Sequence, residues 1–544
     1  MRSADEALSR EVERGMTREH LLRRAAALGI VVAGGAFGPL TEAAFAETLI
    51  KRGGTFRLGI TGGGSTDFID GQHIVAKTDI ARLVTGWESL ARFNQQYHII
   101  MDGLAQEIVA QKANRWVIRL RKGIEFHNGK TVTADDVMYS FRRTLTKSLG
   151  LFGYGGLSSI NPRGMKKLDK YTVRLNLLRP DANLLDNLSQ YFQGVVPVGY
   201  PLTGLASKTS SPLRYIGTGA YKVQSFTPGR QSVHVKNPNY WRSGQPYFDK
   251  VVIIDFPDPA ARVNALLSGQ VDAITDIPYA QAAAVGRRKG FKTYESITGA
   301  WNPISMRLDV APFRDVRVRQ AMRLLINRPQ VVQQALSGHG TVANDIYSPF
   351  DSAYAGDEFP QHKYDPEKAK ALLKAAGQSG LNVDLQTTDA DAGMVEEAQI
   401  LAQNAQAAGV TINVKNLDGG TFYGDQYLKW PFATDYWGTR NYLTQVSSGT
   451  LKGAAFDESH WFASPQYPKF FALYKQALAT VDEKKRAAII KDMQRLEYTG
   501  GGHIIAYFKN LVDAHSTKLG GLKKTRGTLN LDGYGHGYRT IYFT

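Results

Sequence analysis

The eleven histidines of this 544-residue chain are dispersed, and the sequence holds no HExxH, no G-x-S-x-G and no clustered His/Asp/Glu set. A zinc-bound water or an activated serine would therefore lack the partners that its chemistry needs. His127 stands alone beside Asn128-Gly129, a turn pair, and is expected to be structural. Thr61-Gly62-Gly63-Gly64-Ser65-Thr66 follows a strand-like run, Gly53 to Ile60. A glycine-rich loop in that position can cradle phosphate, but this one lacks the G-x-G-x-x-G or G-K-[ST] pattern of a nucleotide site. There is no cysteine, which excludes disulfides, thiolate metal sites, cysteine nucleophiles and an N-terminal lipid-modified cysteine. What the residues leave is binding; no enzyme, no metal and no cofactor are expected.

The elements that would position a binding site are clearest between Ile216 and Ile274. Tyr221 to Phe226 and Ser232 to Lys236 alternate apolar and polar residues with period two, and Thr227-Pro228-Gly229-Arg230 has the chemistry of a turn, which predicts a hairpin. Val251 to Phe256 is nearly all apolar, as a strand covered on both faces would be. Asp258 and Pro259 then open a helix in which Ala261, Ala265 and Leu266 share a face, closed by Gly269. The runs "NPNYWRSGQPYFDKV" from Asn237 and "ARVNALLSGQVDAI" from Ala261 resemble the first-lobe signature of the extracellular solute-binding protein family 5, the peptide, opine and nickel receptors of ABC importers.

Three further stretches carry the resemblance. "WVIRLRKGIEFHNGKTVTADDVMYSFRR", Trp116 to Arg143, gives a strand with Trp116, Ile118 and Leu120 on one face, then a helix opened by a Thr133/Asp136 capping box. "APFRDVRVRQAMRLLINRPQVVQQALSGHG" resembles the family's first second-lobe helices, with Asp315 as cap and Pro329 as restart. "YDPEKAKALLKAAG" places Asp365 as N-cap, Pro366 in the first turn and Gly377 as the stop. Strand and helix then alternate through "NVDLQTT", Val395 to Ala408 and Val410 to Val414, as in an open α/β sheet, and a helix from Glu483 to Tyr498 ends the lobe.

The chain exceeds the length that one hydrophobic core usually organises. The resemblance implies an α/β, two-lobed periplasmic binding protein, type II-like and of cluster C, with an extra inserted subdomain in the first lobe. The expected division is 1–46 as export signal, 47–94 with 211–299 and 511–544 as first lobe, 95–210 as inserted subdomain and 300–510 as second lobe. Crossings near 300 and 510 imply hinge closure on a ligand held between the lobes.

The resemblance also supplies the expected site. In "FATDYWGTRNYL", Phe432 to Leu443, peptide-binding members have a Trp followed three residues on by an Asp that pairs with the peptide's α-amino group. Here Trp437 keeps its place and Arg440 takes that of the Asp; "SMRLDVAPF" likewise puts Arg307 where many members have Asn. Both departures add positive charge toward the cleft, and for both the local alternative is solvent exposure or pairing with Asp435 or Asp309. Arg440 in the cleft would hold a carboxylate or phosphate in its planar fork and repel a free α-amino group. Trp437 would form an apolar, stacking wall beside Gly438, helped by Tyr423, Trp301 or Tyr442, since aromatic side chains bury large areas. Backbone near Ser65, Thr66 and Asp67 would line the same cleft.

Export is expected from Met1 to Ala46, where Arg18, Arg23 and Arg24 precede the apolar run Ala25 to Leu40, and Ala44-Phe45-Ala46 offers an A-x-A cleavage site. "TREHLLRR" resembles a twin-arginine signal with Glu19 in place of the second arginine, which leaves the Tat and Sec routes both open. That segment carries six Arg and six acids, so the net charge stays at +17 without it. The basic residues are scattered rather than run together, which with a periplasmic address argues against nucleic acid. The expected protein is an unanchored, monomeric periplasmic receptor of an ABC importer, delivering a peptide-like or conjugated ligand to a permease and ATPase complex in the inner membrane. A general dipeptide or oligopeptide receptor, or a chemoreceptor or chaperone use of the scaffold, is the alternative.

Overall fold

Pro228 and Gly229 turn the chain as their chemistry dictates: Tyr221–Thr227 and Gln231–Lys236 pair antiparallel, with Thr227 opposite Gln231 and Gly229 at φ +69°. This is seen in a computed structural model that describes residues 50–62, 64, 67–528, 530–531 and 536–544. The expected export segment 1–46, and Ser65 and Thr66, lie outside the described residues.

The hairpin forms one edge of an eight-stranded mixed sheet. Lys250–Asp255 lies beside it and pairs parallel with Thr55–Ile60, which in turn pairs parallel with Ala273–Ile274. Tyr507–Ser516 follows antiparallel, flanked by Phe291–Ala300 and by the short Gly340–Val342. In Lys250–Asp255 the buried residues are Val251, Ile253 and Asp255, while the intervening ones keep partial access. One face is therefore closed and the other only partly so, which corrects the expectation of a strand covered on both faces. The helix Pro259–Leu267 starts where Asp258 accepts from the Ala261 amide, and Gly269 beyond it sits at φ +77°.

A four-stranded antiparallel sheet, Ala105–Lys112, Arg115–Leu120, Thr172–Asn176 and Lys166–Asp169, has its own core of Trp116, Ile118, Leu120, Val137, Phe141, Val173 and Leu175. Its helix Ala134–Thr144 opens at Thr133, whose amide and hydroxyl both donate to Asp136. His127 is buried beside this sheet: one ring nitrogen contacts the Gly219 carbonyl at 3.0 Å and the other accepts from the Gly217 amide. Burial lowers its pKa to about 4, so it is a neutral strut.

The chain leaves the large sheet after Ala300 and enters a five-stranded sheet at Pro303–Met306, whose neighbours are Phe432–Thr434 and His503–Ile505; Asn382–Thr387 and Thr411–Asn416 complete it. It returns between Ile505 and Tyr507. Helices Val316–Leu324, Arg328–Gln334 and Pro366–Ala375 begin at Asp315, Asn327 and Asp365, each accepting from a first-turn amide. One apolar core takes in Val263, Leu266 and Ile274 together with Ile304, Met306 and Phe432, and Leu336, Tyr507 and Val512 belong to the same cluster. Gly53–Ile541 is one compact unit; in the other, Lys51 bridges to Phe543. Among the described residues no helix is long and apolar enough to cross a membrane.

The last helix of the second sheet, Glu483–Gly500, buries Glu497, which accepts from the hydroxyls of Tyr347 and Tyr442. Burial raises its pKa from 4.5 to about 7. Between those values the folded protein holds a proton that the unfolded chain has lost, so stability falls as pH rises through this window. Glu497→Gln should therefore flatten the pH dependence of urea unfolding between about pH 5 and about pH 7, by at most about 1.4 kcal/mol per pH unit. An unchanged slope would show that Glu497 does not carry that proton.

Candidate functional site

A cavity of about 480 Å³ is walled by three groups of residues. The loop and helix start after the first strand bring Thr61, Gly62, Gly64, Asp67, Val75 and Lys77; Phe152 and Tyr191 come from the region of the four-stranded sheet; Tyr423, Tyr427, Asp435, Trp437, Gly438, Arg440, Phe456 and Glu458 come from the region of the five-stranded sheet. A volume of that size suits a small organic ligand.

The floor near the first strand is locked by charge. Arg82 is fully buried; its guanidinium holds both Asp255 oxygens at 2.7 and 2.6 Å and Asp67 at 3.2 Å. Lys77 is held between Asp276 at 2.5 Å and Asp391 at 2.7 Å. These cations are already paired, and neither offers a vacant charge to a ligand.

Arg440 differs. It is 7 % exposed, its guanidinium lies 4.9 Å from the Phe152 ring centre and 5.0 Å from that of Trp437, and its one long hydrogen bond runs to Gln445 at 3.5 Å. Its Nε has no partner, and among the described residues no carboxylate pairs with it. A buried guanidinium loses much hydration, and two aromatic faces replace only part of it.

Asp435 and Glu458 form the opposite kind of group. Asp435 accepts from the Tyr427 hydroxyl at 2.9 Å, the Tyr423 hydroxyl at 3.4 Å and the Tyr436 amide at 2.8 Å. Glu458 accepts from Ser305 at 2.8 Å and from the Trp437 indole at 2.6 Å. Burial raises the Asp435 pKa to about 6, and burial together with the Asp435 charge pushes Glu458 well above its ordinary value. Asp389 and Asp418 also line the cavity, so its acids outnumber its cations. Among the described residues no group of three or more His, Cys, Asp or Glu is placed to hold a metal ion.

Of the residues expected at the site, Asp67, Tyr423, Trp437, Gly438 and Arg440 line this cavity. A side chain at Gly438 would come within 2.5 Å of the Thr528 hydroxyl, another wall residue, so the close approach there requires glycine. Trp301, Tyr442 and Arg307 do not line it. Trp301 is 2 % exposed and stacks behind Trp437 at 6.1 Å; Tyr347 stacks on Trp301 at 5.4 Å, and Tyr442 on Tyr347 at 5.1 Å. These rings support the wall without reaching the cavity. Arg307 is held by both Asp309 oxygens, at 3.0 and 2.6 Å, and by the Lys429 carbonyl. The strand ends at Met306 and the turn at Leu308 and Asp309 brings the Asp309 carboxylate onto Arg307, so the local partner captures this arginine. Phe152, Tyr191, Lys77 and the Asp435/Glu458 pair were not expected. Asp435 stands in the motif that supplied Trp437, but Glu458 lies 23 residues further on, and Phe152 comes from the turn before the short helix Tyr154–Leu157, with no sequence signal for it.

The family described as bacterial extracellular solute-binding proteins, family 5, matches residues 100–455. A dipeptide-binding protein of Escherichia coli K12 is 26 % identical over 427 residues, covering 73 % of this chain and 78 % of its own. Among solved structures, the PBP AgaA from A. tumefaciens R10 in complex with agropinic acid aligns with a TM-score of 0.79 at 23 % identity, covering 90 % of this chain and 99 % of its own. The periplasmic binding protein DppA from Helicobacter pylori in complex with the peptide STSA aligns at 0.78 and 20 %, covering 92 % and 99 %. These structural likenesses show the two-lobed fold.

Proposed function

The chain belongs to the bacterial extracellular solute-binding proteins, family 5, and from that premise we propose that it is the periplasmic receptor of an ABC importer, binding a small peptide-like or conjugated ligand that presents an anion to Arg440. It is a binding protein and not an enzyme. Closure would bring a first lobe of 47–94, 211–299 and 511–544, carrying the insert 95–210, against a second lobe of 300–510, with delivery to a permease and ATPase complex. The two separate sheets, with the chain leaving the large one after Ala300 and rejoining it at Tyr507, support this division, Gly340–Val342 being the stretch of 300–510 that pairs on the large sheet. The observation that carries the ligand class is Arg440, a buried guanidinium in the cavity wall with no carboxylate partner among the described residues. A carboxylate or phosphate would supply the hydrogen bonds its fork lacks.

The test is a thermal-shift comparison of acids with their amides, such as phenylacetate with phenylacetamide, extended to opine-type conjugates. At ten times Kd an acid should stabilise the protein by about 1.4 kcal/mol, and the amide by far less. Equal shifts for acid and amide remove the anion reading. Tight binding of ordinary dipeptides, whatever their C-terminal group, would favour the general peptide receptor instead.

A further inference from the structure

We propose that Asp186, in the inserted segment 95–210, is a positioning residue for Arg440: by gripping the start of the helix Tyr442–Gly449 it holds the guanidinium fork in the cavity wall, and so sets the preference for an anion over its uncharged analogue. The inference rests on the binding reading above and deepens it, since the ligand-selecting cation is then held in place by a distant part of the chain.

Three observations carry it. First, Asn441 stands at the N-cap of that helix, where an asparagine ordinarily accepts from a first-turn amide, yet its side chain makes no such bond. Its side-chain amide donates instead to one Asp186 oxygen at 2.5 Å, and Thr444, three residues on, donates its hydroxyl to the other at 2.5 Å. The Tyr442 amide is taken by Asp351 at 2.8 Å. Second, the contact is built on both sides. Asp186 is buried on the short helix Leu184–Ser189 and also accepts from Gln190 at 3.0 Å, while the adjacent Asn183 donates to the Thr444 hydroxyl at 2.9 Å. A side chain at Gly155 would come within 2.6 Å of the Ser447 carbonyl, so the insert packs its backbone directly on the same helix. Third, the insert holds Arg440 from every side. The Tyr97 hydroxyl donates to the Thr439 carbonyl at 2.9 Å, Asp186 binds Asn441, and the Phe152 ring centre lies 4.9 Å from the guanidinium. Even the long bond from Arg440 to Gln445 runs to the first turn of the gripped helix.

A planar fork rewards alignment, because its parallel N–H donors meet both oxygens of a carboxylate only while the guanidinium plane is held. Without Asp186, Asn441 and Thr444 lose their shared acceptor, the first turn loosens, and an arriving anion meets a fork spread over several orientations. An uncharged amide does not depend on that fork and loses little.

Calorimetric titration of the protein with phenylacetate and with phenylacetamide reads this. Asp186→Ala should raise the phenylacetate Kd about tenfold, as expected when one of two charge-assisted bonds is lost, and the phenylacetamide Kd by less than about twofold. In an Arg440→Ala background the same change should affect neither, an outcome that a merely structural role would not give. Asp186→Asn keeps an acceptor for Thr444 and should recover most of the loss. Should Asp186→Ala fold poorly, Tyr97→Phe removes only the hydroxyl at Thr439 and should weaken the acid selectively in the same way. Equal losses for acid and amide, a loss that persists in the Arg440→Ala background, or unchanged affinities overturn the positioning role. Hydrogen exchange needs no ligand: the amides of 439–445 should exchange faster in Asp186→Ala than in the wild type, and unchanged protection also overturns the inference. Failure of phenylacetate to bind the wild type removes the anion reading, and the exchange result then decides by itself whether Asp186 holds the segment.

Discussion

Arg440→Ala is expected to weaken binding of an anionic ligand between about tenfold and about 150-fold, while leaving the affinity for the ligand's uncharged amide nearly unchanged. A charge-assisted hydrogen bond to a guanidinium contributes about 1.5–3 kcal/mol, and about 1.4 kcal/mol is one decade in affinity. The upper part of that range applies because Arg440 is buried and no internal acid competes for this fork among the described residues. Arg440→Lys should recover only part of the loss, since an ammonium offers a point charge in place of two parallel donors. Calorimetry on the wild type and both variants decides the matter. Full affinity in Arg440→Ala would place the anion elsewhere, and an equal loss for acid and amide would mean that the wall had merely collapsed onto Phe152 and Trp437.

The second large effect concerns folding. Arg82→Ala leaves Asp255, whose side chain is fully buried, with the Thr78 hydroxyl at 3.0 Å as its one side-chain hydrogen-bond partner among the described residues, and also removes the cation that pairs with Asp67. Breaking a buried ion pair from one side costs about 3–5 kcal/mol, because the remaining charge has lost both water and partner. Urea unfolding should show a loss of that size. The double variant Arg82→Met with Asp255→Leu should be much closer to the wild type, since it leaves no orphaned charge there. Two equally unstable proteins would mean that shape rather than charge is decisive. Asp67 lines the cavity, so the single variant should also alter ligand affinity, an effect that stability measurements alone do not reveal.

What could be learned from the sequence divides by distance along the chain. The caps at Asp258, Asp315 and Asp365, the turn at Pro228-Gly229 and the strand of Trp116, Ile118 and Leu120 are local decisions, made by residues within four positions of each other, and each forms as its chemistry implies. Arg307 shows the same rule applied against a site role: Asp309, two residues away, takes it. The cavity, in contrast, is assembled from Asp67, Phe152, Trp437 and Glu458, segments separated by tens to hundreds of residues, and no periodicity encodes such meetings. Trp437 and Arg440 were found because a family motif carries them. Asp435 stands beside them in the sequence, but Glu458, which lines the same cavity, is brought there only by the fold.

The column of rings behind Trp437 bears on the thermodynamics of docking. One face of its indole is covered by Trp301, the guanidinium of Arg440 lies against the ring, its Nε1 is tied to Glu458, and Gly449 packs so closely that an added methyl there would come within 2.8 Å of the ring. This side chain therefore has one rotamer before any ligand arrives. Ordering a free side chain on binding costs about 0.5–1.5 kcal/mol, and at Trp437 that loss of freedom is incurred when the chain folds. A ligand docking there, as proposed, would meet a fixed template that selects by the shape brought to it rather than by adjusting to each ligand.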